Sequence, residues 1–152
     1  MGMDLILWRH AEAEDGGSDL ERKLTAKGRK QAARVAKWLL QRLPSNYRLI
    51  ASPAARAQET AEALGIRVKT AGRLAPGASV ADILAAADWP EAKSTVILVG
   101  HQPDFGRAVA YLVCGDQTEW SIKKGGLWWL AYRTRGDEGQ VVVRAVMSPD
   151  LL

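Results

Sequence analysis

The chain has 152 residues, of which 47% are hydrophobic and 25% are charged, and its formal net charge is +4 at pH 7. This size and composition are typical of one globular domain, so we expect a single domain over residues 1–152. The only cysteine, Cys114, excludes an internal disulfide, and the apolar residues 109–113 before it predict a packed thiol. The modest positive charge favours acidic or phosphorylated partners.

The first residues carry none of the usual targeting patterns. The apolar run over Leu5–Trp8 is too short for the core of a signal peptide or for a membrane span. Position 6 is Ile6, which does not fit the Ser or Thr of a myristoylation site. We therefore expect a cytoplasmic protein with no membrane association.

Apolar runs and turn residues divide the chain into alternating strands and helices. The patterns predict strands over 4–8, 48–52, 66–69, 95–99, 127–133 and 140–147, and helices over 26–43, 53–64, 80–87 and 103–113. A polar loop over 9–24 follows the first strand. Thr25, Ser52 and Ser79 are the predicted N-caps, with Pro53 at the first position of the second helix. The alternation predicts an α/β fold, a three-layer α/β/α sandwich with a mostly parallel sheet and an antiparallel strand.

The basic residues are spread along the predicted helices. In the first helix Arg29, Lys30, Arg34, Lys37 and Arg42 line most of the polar side, which is typical of a solvated surface. The sequence has no zinc-finger spacing and no aromatic-basic RNA motif. We therefore expect no nucleic-acid partner.

Cationic and titratable side chains follow three of the predicted strands. The first strand runs directly into Arg9 and His10, and the strand over 95–99 leads through one glycine to His101. The second strand is followed closely by Arg56. Because ligands bind outside the carboxyl ends of parallel strands, we expect these four side chains to share one crevice.

This combination of residue types suits a phosphoryl group. Arginine binds phosphate oxygens with two parallel hydrogen bonds and stays charged, while a neutral imidazole is a competent nucleophile near pH 7. Phosphoryl transfer needs positioning and charge neutralisation above all, and arginines beside a histidine supply both. We therefore expect no cofactor and no metal. Arg56 is predicted in or near the first turn of the second helix, where the N-terminus also favours phosphate.

Three motifs lie in a fixed order between residue 7 and residue 103. They are an apolar strand that ends in Arg-His over Leu7–Ala11, a Ser-Pro-x-x-Arg sequence at the start of Ser52–Ala61, and a Gly-His-x-Pro sequence within Val99–Pro103. Together they resemble the motifs of the histidine phosphatase superfamily, which has the phosphoglycerate mutase-like fold. The chain is similar in particular to the short SixA-like phosphohistidine phosphatases, over nearly its whole length. Ala11 stands where many members of the superfamily have glycine, as it often does in the short branch.

The resemblance implies a metal-independent phosphatase that works through a phosphohistidine intermediate on the enzyme. It implies that His10 is the nucleophile, that Arg9 and Arg56 hold the phosphoryl oxygens, and that His101 donates to an equatorial oxygen. Arg22 resembles a further arginine of the short branch that binds the substrate phosphate. The implied substrate is phosphohistidine on a protein, so the implied partner is a phosphorylated protein.

The identity of a general acid stays open, with Glu12, Glu14, Asp19 and Asp82 as candidates. An alkoxide leaving group, whose conjugate acid has a pKa on the order of 15, needs a proton as it departs. Imidazole has a pKa of about 6.5 and can already carry a proton on its second nitrogen. Phosphohistidine is therefore the substrate class for which a missing acid matters least.

Three other functions remain open at this point. The same scaffold can serve as a phosphomonoesterase of small phosphate esters, or as a phosphate-binding module without catalysis. A metal hydrolase built on His10, Glu12 and His101 is the least favoured, because the spacing is not that of a zinc site.

Overall fold

The computed structural model describes residues 2–152 as an α/β protein. Its strands are β1 (Gly2–Arg9), β2 (Tyr47–Ala51), β3 (Lys69–Thr70), β4 (Thr95–Gly100), β5 (Leu127–Arg135) and β6 (Glu138–Met147). Its helices are α1 (Ala26–Leu40), α2 (Ala55–Glu62), α3 (Val80–Ala87) and α4 (Asp104–Cys114), with short 3-10 helices at Asp19–Glu21, Gly72–Leu74 and Pro149–Leu151. Among these residues no helix is both long enough and apolar enough to cross a membrane.

The six strands form one sheet in the order β3-β2-β4-β1-β5-β6. Strands β1 to β4 are mutually parallel where they pair, and β5 and β6 add to the β1 edge as an antiparallel hairpin. This confirms the predicted mostly parallel sheet, with two antiparallel strands at its end. The parallel strands point their carboxyl ends to one edge of the sheet, where ligands bind in folds of this kind.

Both faces of the central strands are buried, as the unbroken apolar runs predict. In β1, Leu5 and Leu7 pack with residues of α3 and α4, while Ile6 and Trp8 pack with residues of α1 and α2. The helices thus cover the sheet on two sides and complete the three layers. In β5 the neighbouring Trp128 and Trp129 also belong to opposite faces.

Two of the three predicted N-caps are confirmed. Thr25 Oγ1 accepts a hydrogen bond from the Gly28 backbone N–H at the start of α1, and Ser79 Oγ accepts from Asp82 at the start of α3. The prediction for Ser52 is wrong, since α2 begins at Ala55 rather than Pro53 and its N-cap is Ala54. The Ser52 hydroxyl instead contacts His101, which follows the neighbouring strand β4.

Several boundaries differ from the sequence prediction. Helix α1 ends at Leu40 rather than near residue 43, and the Arg42 guanidinium donates to the Trp38 carbonyl in its last turn. The third strand pairs with β2 only through Lys69–Thr70, not over 66–69. The loop over 9–24 is more ordered than its polar sequence suggests, because a β-bridge joins Ala13 to Leu24 and a 3-10 turn lies between them.

The packed thiol predicted for Cys114 is also wrong. The residue is exposed at the end of α4, where its Sγ lies 3.2 Å from the Ala110 carbonyl. The neighbouring Tyr111 and Val113 are exposed as well, because this last turn of the helix extends beyond the core. An apolar sequence in a helix therefore did not mean burial on every side.

We expect Gly28→Ala to destabilise the protein, because a Cβ at this buried position would lie 2.0 Å from the Glu12 carbonyl oxygen. Overpacking of this kind costs about 1–3 kcal/mol, which outweighs the gain of up to about 1 kcal/mol in helix propensity. Thermal unfolding should show a Tm lower by at least about 3 °C. Gly72→Ala is the matched control, since a Cβ there meets nothing within 4 Å. Equal Tm values for the two variants would contradict this contact.

Candidate active site

The ends of three adjacent parallel strands meet at one place. His10 follows β1, Ser52 follows β2 and His101 follows β4, which lies between the other two. The pairing continues one residue past β1 and β2, since the His10 N–H donates to the Gly100 carbonyl at 3.0 Å and the Ser52 N–H donates to the Val99 carbonyl at 3.0 Å, both in β4. The sheet therefore fixes the backbone under all three side chains.

His10 has one defined tautomer. Its Nδ1 lies 2.7 Å from the Ala11 carbonyl oxygen, which only accepts, so Nδ1 carries the hydrogen and Nε2 keeps its lone pair. The Ala11 N–H in turn donates to Thr60 Oγ1 at 3.0 Å. Thr60 is fully buried in α2, so this helix holds the backbone that orients the imidazole.

The two histidines form a close pair that is uncharged at neutral pH. Their ring centroids are 5.2 Å apart, and the residues are only 8% (His10) and 3% (His101) exposed. Burial, with smaller contributions from the positive charges of Arg56, Arg9 and Arg22, lowers the pKa of His10 to about 4 against the opposing effect of its hydrogen bond to the Ala11 carbonyl. Burial, together with His10, lowers the pKa of His101 to about 3. Both imidazoles are therefore neutral near pH 7.

Ser52 defines the tautomer of His101. Its fully buried hydroxyl oxygen accepts from the Ala54 N–H at 3.1 Å and lies 2.7 Å from His101 Nε2. Because the hydroxyl oxygen already accepts from Ala54, we assign its hydrogen to the bond with Nε2, which leaves the ring hydrogen of His101 on Nδ1. That Nδ1 is buried and has no hydrogen-bond partner within residues 2–152. It is thus a buried donor available to an anion.

Arg9 lies at the end of β1, directly before His10. Its terminal Nη1 donates to the Ile122 carbonyl at 2.8 Å, which ties the side chain to the segment before β5. Its Nε is buried and, within the part of the chain that the structure describes, has no partner. Arg9 and His101 therefore each bring one unused buried N–H group to this edge of the sheet.

Arg56 and Arg22 are joined by the carboxylate of Asp19. The nearly buried Arg56 donates to the Asp19 carbonyl at 2.6 Å and to its carboxylate at 3.2 Å. Arg22 donates to the other carboxylate oxygen at 3.2 Å and to the Glu14 carbonyl at 2.6 Å. These hydrogen bonds to Arg22 and Arg56 lower the pKa of Asp19, so its carboxyl group is charged at neutral pH.

The structure brings the predicted site residues together. His10, His101, Arg9 and Arg56 lie at one edge of the sheet and act on one another electrostatically, and the charge of Arg22 reaches His10. Among residues 2–152, no group of three or more His, Cys, Asp or Glu is placed as metal ligands would be. The cluster as a whole offers cationic and neutral N–H donors around a buried imidazole lone pair, which suits a tetrahedral oxyanion.

Two features of the site were not predicted from the sequence. Ser52 was assigned to helix capping, and its contact with His101 depends on two strands far apart in the chain. Asp19 was one of four candidate acids, and it is the one of the four that contacts Arg56 within the described residues. A buried serine directly after an apolar strand, beside another strand that ends in histidine, is the signal that would have pointed to the first contact.

The chain is similar to known proteins in sequence and in fold. A sequence profile of the histidine phosphatase superfamily (branch 1) matches residues 5–77. An uncharacterized protein of Picosynechococcus sp. is 36% identical over 141 aligned residues, with 82% of each chain covered. The structure of SixA from Nakamurella multipartitia superimposes with a TM-score of 0.82 at 27% identity, over 98% of this chain and 97% of that one.

Further solved structures extend this similarity. The protein histidine phosphatase SixA complexed with tungstate matches with a TM-score of 0.79 at 27% identity, over 98% of this chain and 99% of that one. A phosphoserine phosphatase from Entamoeba histolytica, in complex with 3-phosphoglyceric acid, shares the fold with a TM-score of 0.71 at 17% identity, over 96% and 97% of the two chains. These neighbours confirm the phosphoglycerate mutase-like fold. The chain belongs to the histidine phosphatase superfamily and, within it, is SixA-like.

Proposed function

We propose that the protein is a metal-independent phosphatase that works through a phosphorylated His10 and takes phosphohistidine on another protein as its substrate. The observation that carries this proposal is the fixed tautomer of His10. Its Nδ1–H is held by a backbone carbonyl, so the lone pair of a neutral, buried Nε2 is free to attack.

In the first step, the lone pair of His10 Nε2 forms a bond to phosphorus while the bond between phosphorus and the substrate nitrogen breaks. The leaving imidazole keeps the pair of electrons from the broken bond. In the second step, water forms a new phosphorus–oxygen bond as the bond to Nε2 breaks. The proton of the water goes to the released phosphate, and His10 regains its lone pair.

Charge on the transferred phosphoryl group is balanced by donors that surround His10. Arg9 and Arg56 hold phosphoryl oxygens, and the Nδ1–H of His101 donates to an equatorial oxygen. The unused, buried N–H groups of Arg9 and His101 support these roles, since a buried donor without a partner is costly unless a ligand satisfies it. Arg22 adds positive charge from the other side of Asp19.

The preference for phosphohistidine rests on the protonation of the site. Asp19 is charged at neutral pH because it is held by Arg22 and Arg56, so it has no proton to give to a leaving group. A departing imidazole, protonated on its second nitrogen, needs none, whereas a departing alkoxide does. The SixA relatives support the same substrate, and tungstate, which one of them binds, is a tetrahedral oxyanion like phosphate. The cytoplasmic location stays a prediction.

Phosphorus NMR on a phosphohistidine-containing phosphocarrier protein tests the reaction. The wild type should convert the phosphohistidine signal to inorganic phosphate, with or without a chelator. The variant His10→Asn should be slower by at least about a thousandfold, because removal of a nucleophile costs at least this much. A rate that collapses with the chelator would contradict the metal-independent mechanism.

The same assay separates the alternative functions when phosphoserine and 3-phosphoglycerate are run beside the phosphoprotein. A higher kcat/KM for either ester would replace the proposed substrate with a small phosphate ester. Saturable binding of inorganic phosphate without turnover of any substrate would show a binding module instead.

We expect Ser52→Ala to lower kcat about tenfold with little change in KM, because the loss of one buried hydrogen bond is worth about 1–1.5 kcal/mol. Ser52 is a positioning residue, which acts on His101 across 2.7 Å. Nitrogen NMR of the His101 ring should show a hydrogen on Nδ1 in the wild type and a mixture of tautomers in the variant. An unchanged tautomer would remove the role given to Ser52.

The lowered pKa values of the two histidines make stability depend on pH. Near pH 5 the unfolded chain, with histidine pKa values of about 6.5, binds about two more protons than the folded protein, whose values are about 4 and about 3. The free energy of unfolding should therefore rise as the pH increases from about 3 to about 6.5, and this contribution should be lost as the pH falls through the same window. His101→Asn should reduce the proton uptake on unfolding near pH 5 to about one. Urea unfolding at several pH values gives the free energy of unfolding as a function of pH. If this free energy changes with pH equally steeply in the wild type and in His101→Asn, a neutral His101 is contradicted.

A further inference from the structure

A basic groove lies beside the candidate active site. It has a volume of about 510 Å³, and its cations are Lys27, Lys30 and Arg34 of α1 with Lys123 and Lys124 of the segment before β5. All five residues are exposed. The sequence suggested a solvated basic face on α1, and the fold instead sets part of that face against a second basic segment.

The groove is joined to the active site by the backbone itself. Glu12, two residues after His10, lines the groove, and its N–H donates to Gln31 Oε1 of α1 at 2.9 Å. On the other side, the N–H of Gly125 donates to the His10 carbonyl at 3.0 Å. The residues that line or adjoin the groove are therefore within two residues of His10 along the chain or bonded to its backbone.

Most of the positive charge in the groove is unpaired. Lys123 forms an ion pair with Asp150 at 3.1 Å. Lys27, Lys30, Arg34 and Lys124 form no ion pair with any carboxylate in residues 2–152. Four like charges that face the same groove repel one another, so an anionic partner gains more here than at a mixed surface.

The spacing of these charges matches an extended acidic segment better than one small anion. Lys27, Lys30 and Arg34 stand at positions i, i+3 and i+7 of α1, and at 1.5 Å per residue they span about 10 Å. A single phosphoryl group at His10 is too small to neutralise a row of this length. Carboxylates on one face of a partner helix recur at a similar spacing.

The lining of the groove does not favour a nucleic acid. No aromatic residue lines it, so bases would have nothing to stack on. Glu12 and Asp150 also lie in the groove and repel a continuous phosphate backbone. A protein surface can meet these two carboxylates with its own cations and the lysines with its carboxylates.

We propose that the basic groove is the docking surface for an acidic helix of the phosphorylated partner protein, adjacent to its phosphohistidine; this rests on the proposed function. The active site then handles the phosphoryl group, and the groove selects the protein that carries it. The contacts are electrostatic and mostly exposed, so they weaken as salt rises to about 0.2 M.

Two synthetic phosphohistidine peptides test this proposal on the full chain. One continues into a helix with glutamates at positions i, i+4 and i+7, and the other has glutamine at these positions. At low salt the wild type should turn over the acidic peptide with a kcat/KM about tenfold higher, as expected for several exposed charge pairs. A ratio near one for the wild type would overturn the proposal.

Charge reversal locates the interaction. The variant Lys27→Glu/Lys30→Glu/Arg34→Glu should bring the ratio of the two kcat/KM values down to about one or below. The matched control is Arg48→Glu/Arg67→Glu/Lys93→Glu, which makes the same change in net charge at exposed residues outside the groove. The control should keep the full ratio. Loss of the ratio in both variants would mean that net charge, and not the groove, attracts the peptide.

A binding measurement keeps docking separate from catalysis. Fluorescence anisotropy with the labelled acidic peptide, without its phosphoryl group, should give a Kd about tenfold weaker for the groove variant and unchanged for the control. If neither peptide is turned over but this binding pattern is found, the proposed function is wrong and the basic groove remains a docking surface for an acidic helix. Equal Kd values for the groove variant and the control would overturn docking of an acidic protein. Displacement of the peptide with equal affinity by an oligothymidylate of equal charge would overturn it as well.

Discussion

The hydrogen bonds between the ends of β2, β4 and β1 are the constraint on which the site depends. They continue the parallel pairing one residue beyond β1 and β2 and so hold His10 and Ser52 on either side of the end of β4, which leads into His101. None of these residues is close to another in sequence. A shift of one residue in either pairing would turn a histidine away from this edge, because side chains alternate between faces along a strand. The apolar strands that fix the register are therefore required for the geometry of the site.

Burial acts on both kinds of basic side chain at this edge, but it removes the charge of only one kind. It keeps the histidines neutral, with pKa values of about 4 and about 3, while the arginines stay charged. The result is a neutral His10 imidazole whose Nε2 lone pair is free, inside a positive environment. Asp19 compensates part of that positive charge in the free protein. A phosphoryl group that approaches Arg56 and Arg22 competes with a carboxylate already in place, so the net gain from these arginines is smaller than their charge suggests.

Sequence alone predicted the layers of the fold and the meeting of Arg9, His10, Arg56 and His101, because apolar runs that end in such residues are local patterns. It did not predict the hydrogen bond of Ser52 to His101, since a serine before proline is locally indistinguishable from a helix cap. The exposure of Cys114 was missed for a related reason. Periodicity identifies the side of a helix that faces the core, but the point where the core ends depends on the tertiary packing of the other elements.

The residues around the phosphoryl group carry little information about what the group is attached to. In the proposed reaction, Arg9, Arg56 and His101 present N–H donors to oxygens that every phosphate monoester and phosphoramidate shares. We therefore expect selectivity to arise from the leaving group, to which the charged Asp19 has no proton to give, and from surfaces next to the site. The proposed docking groove is such a surface, because Glu12 in its lining is two residues from His10 and Gly125, next to Lys124 of the lining, donates to the His10 carbonyl. The same phosphoryl-transfer chemistry can in this way be directed to one partner by charges that take no part in the reaction.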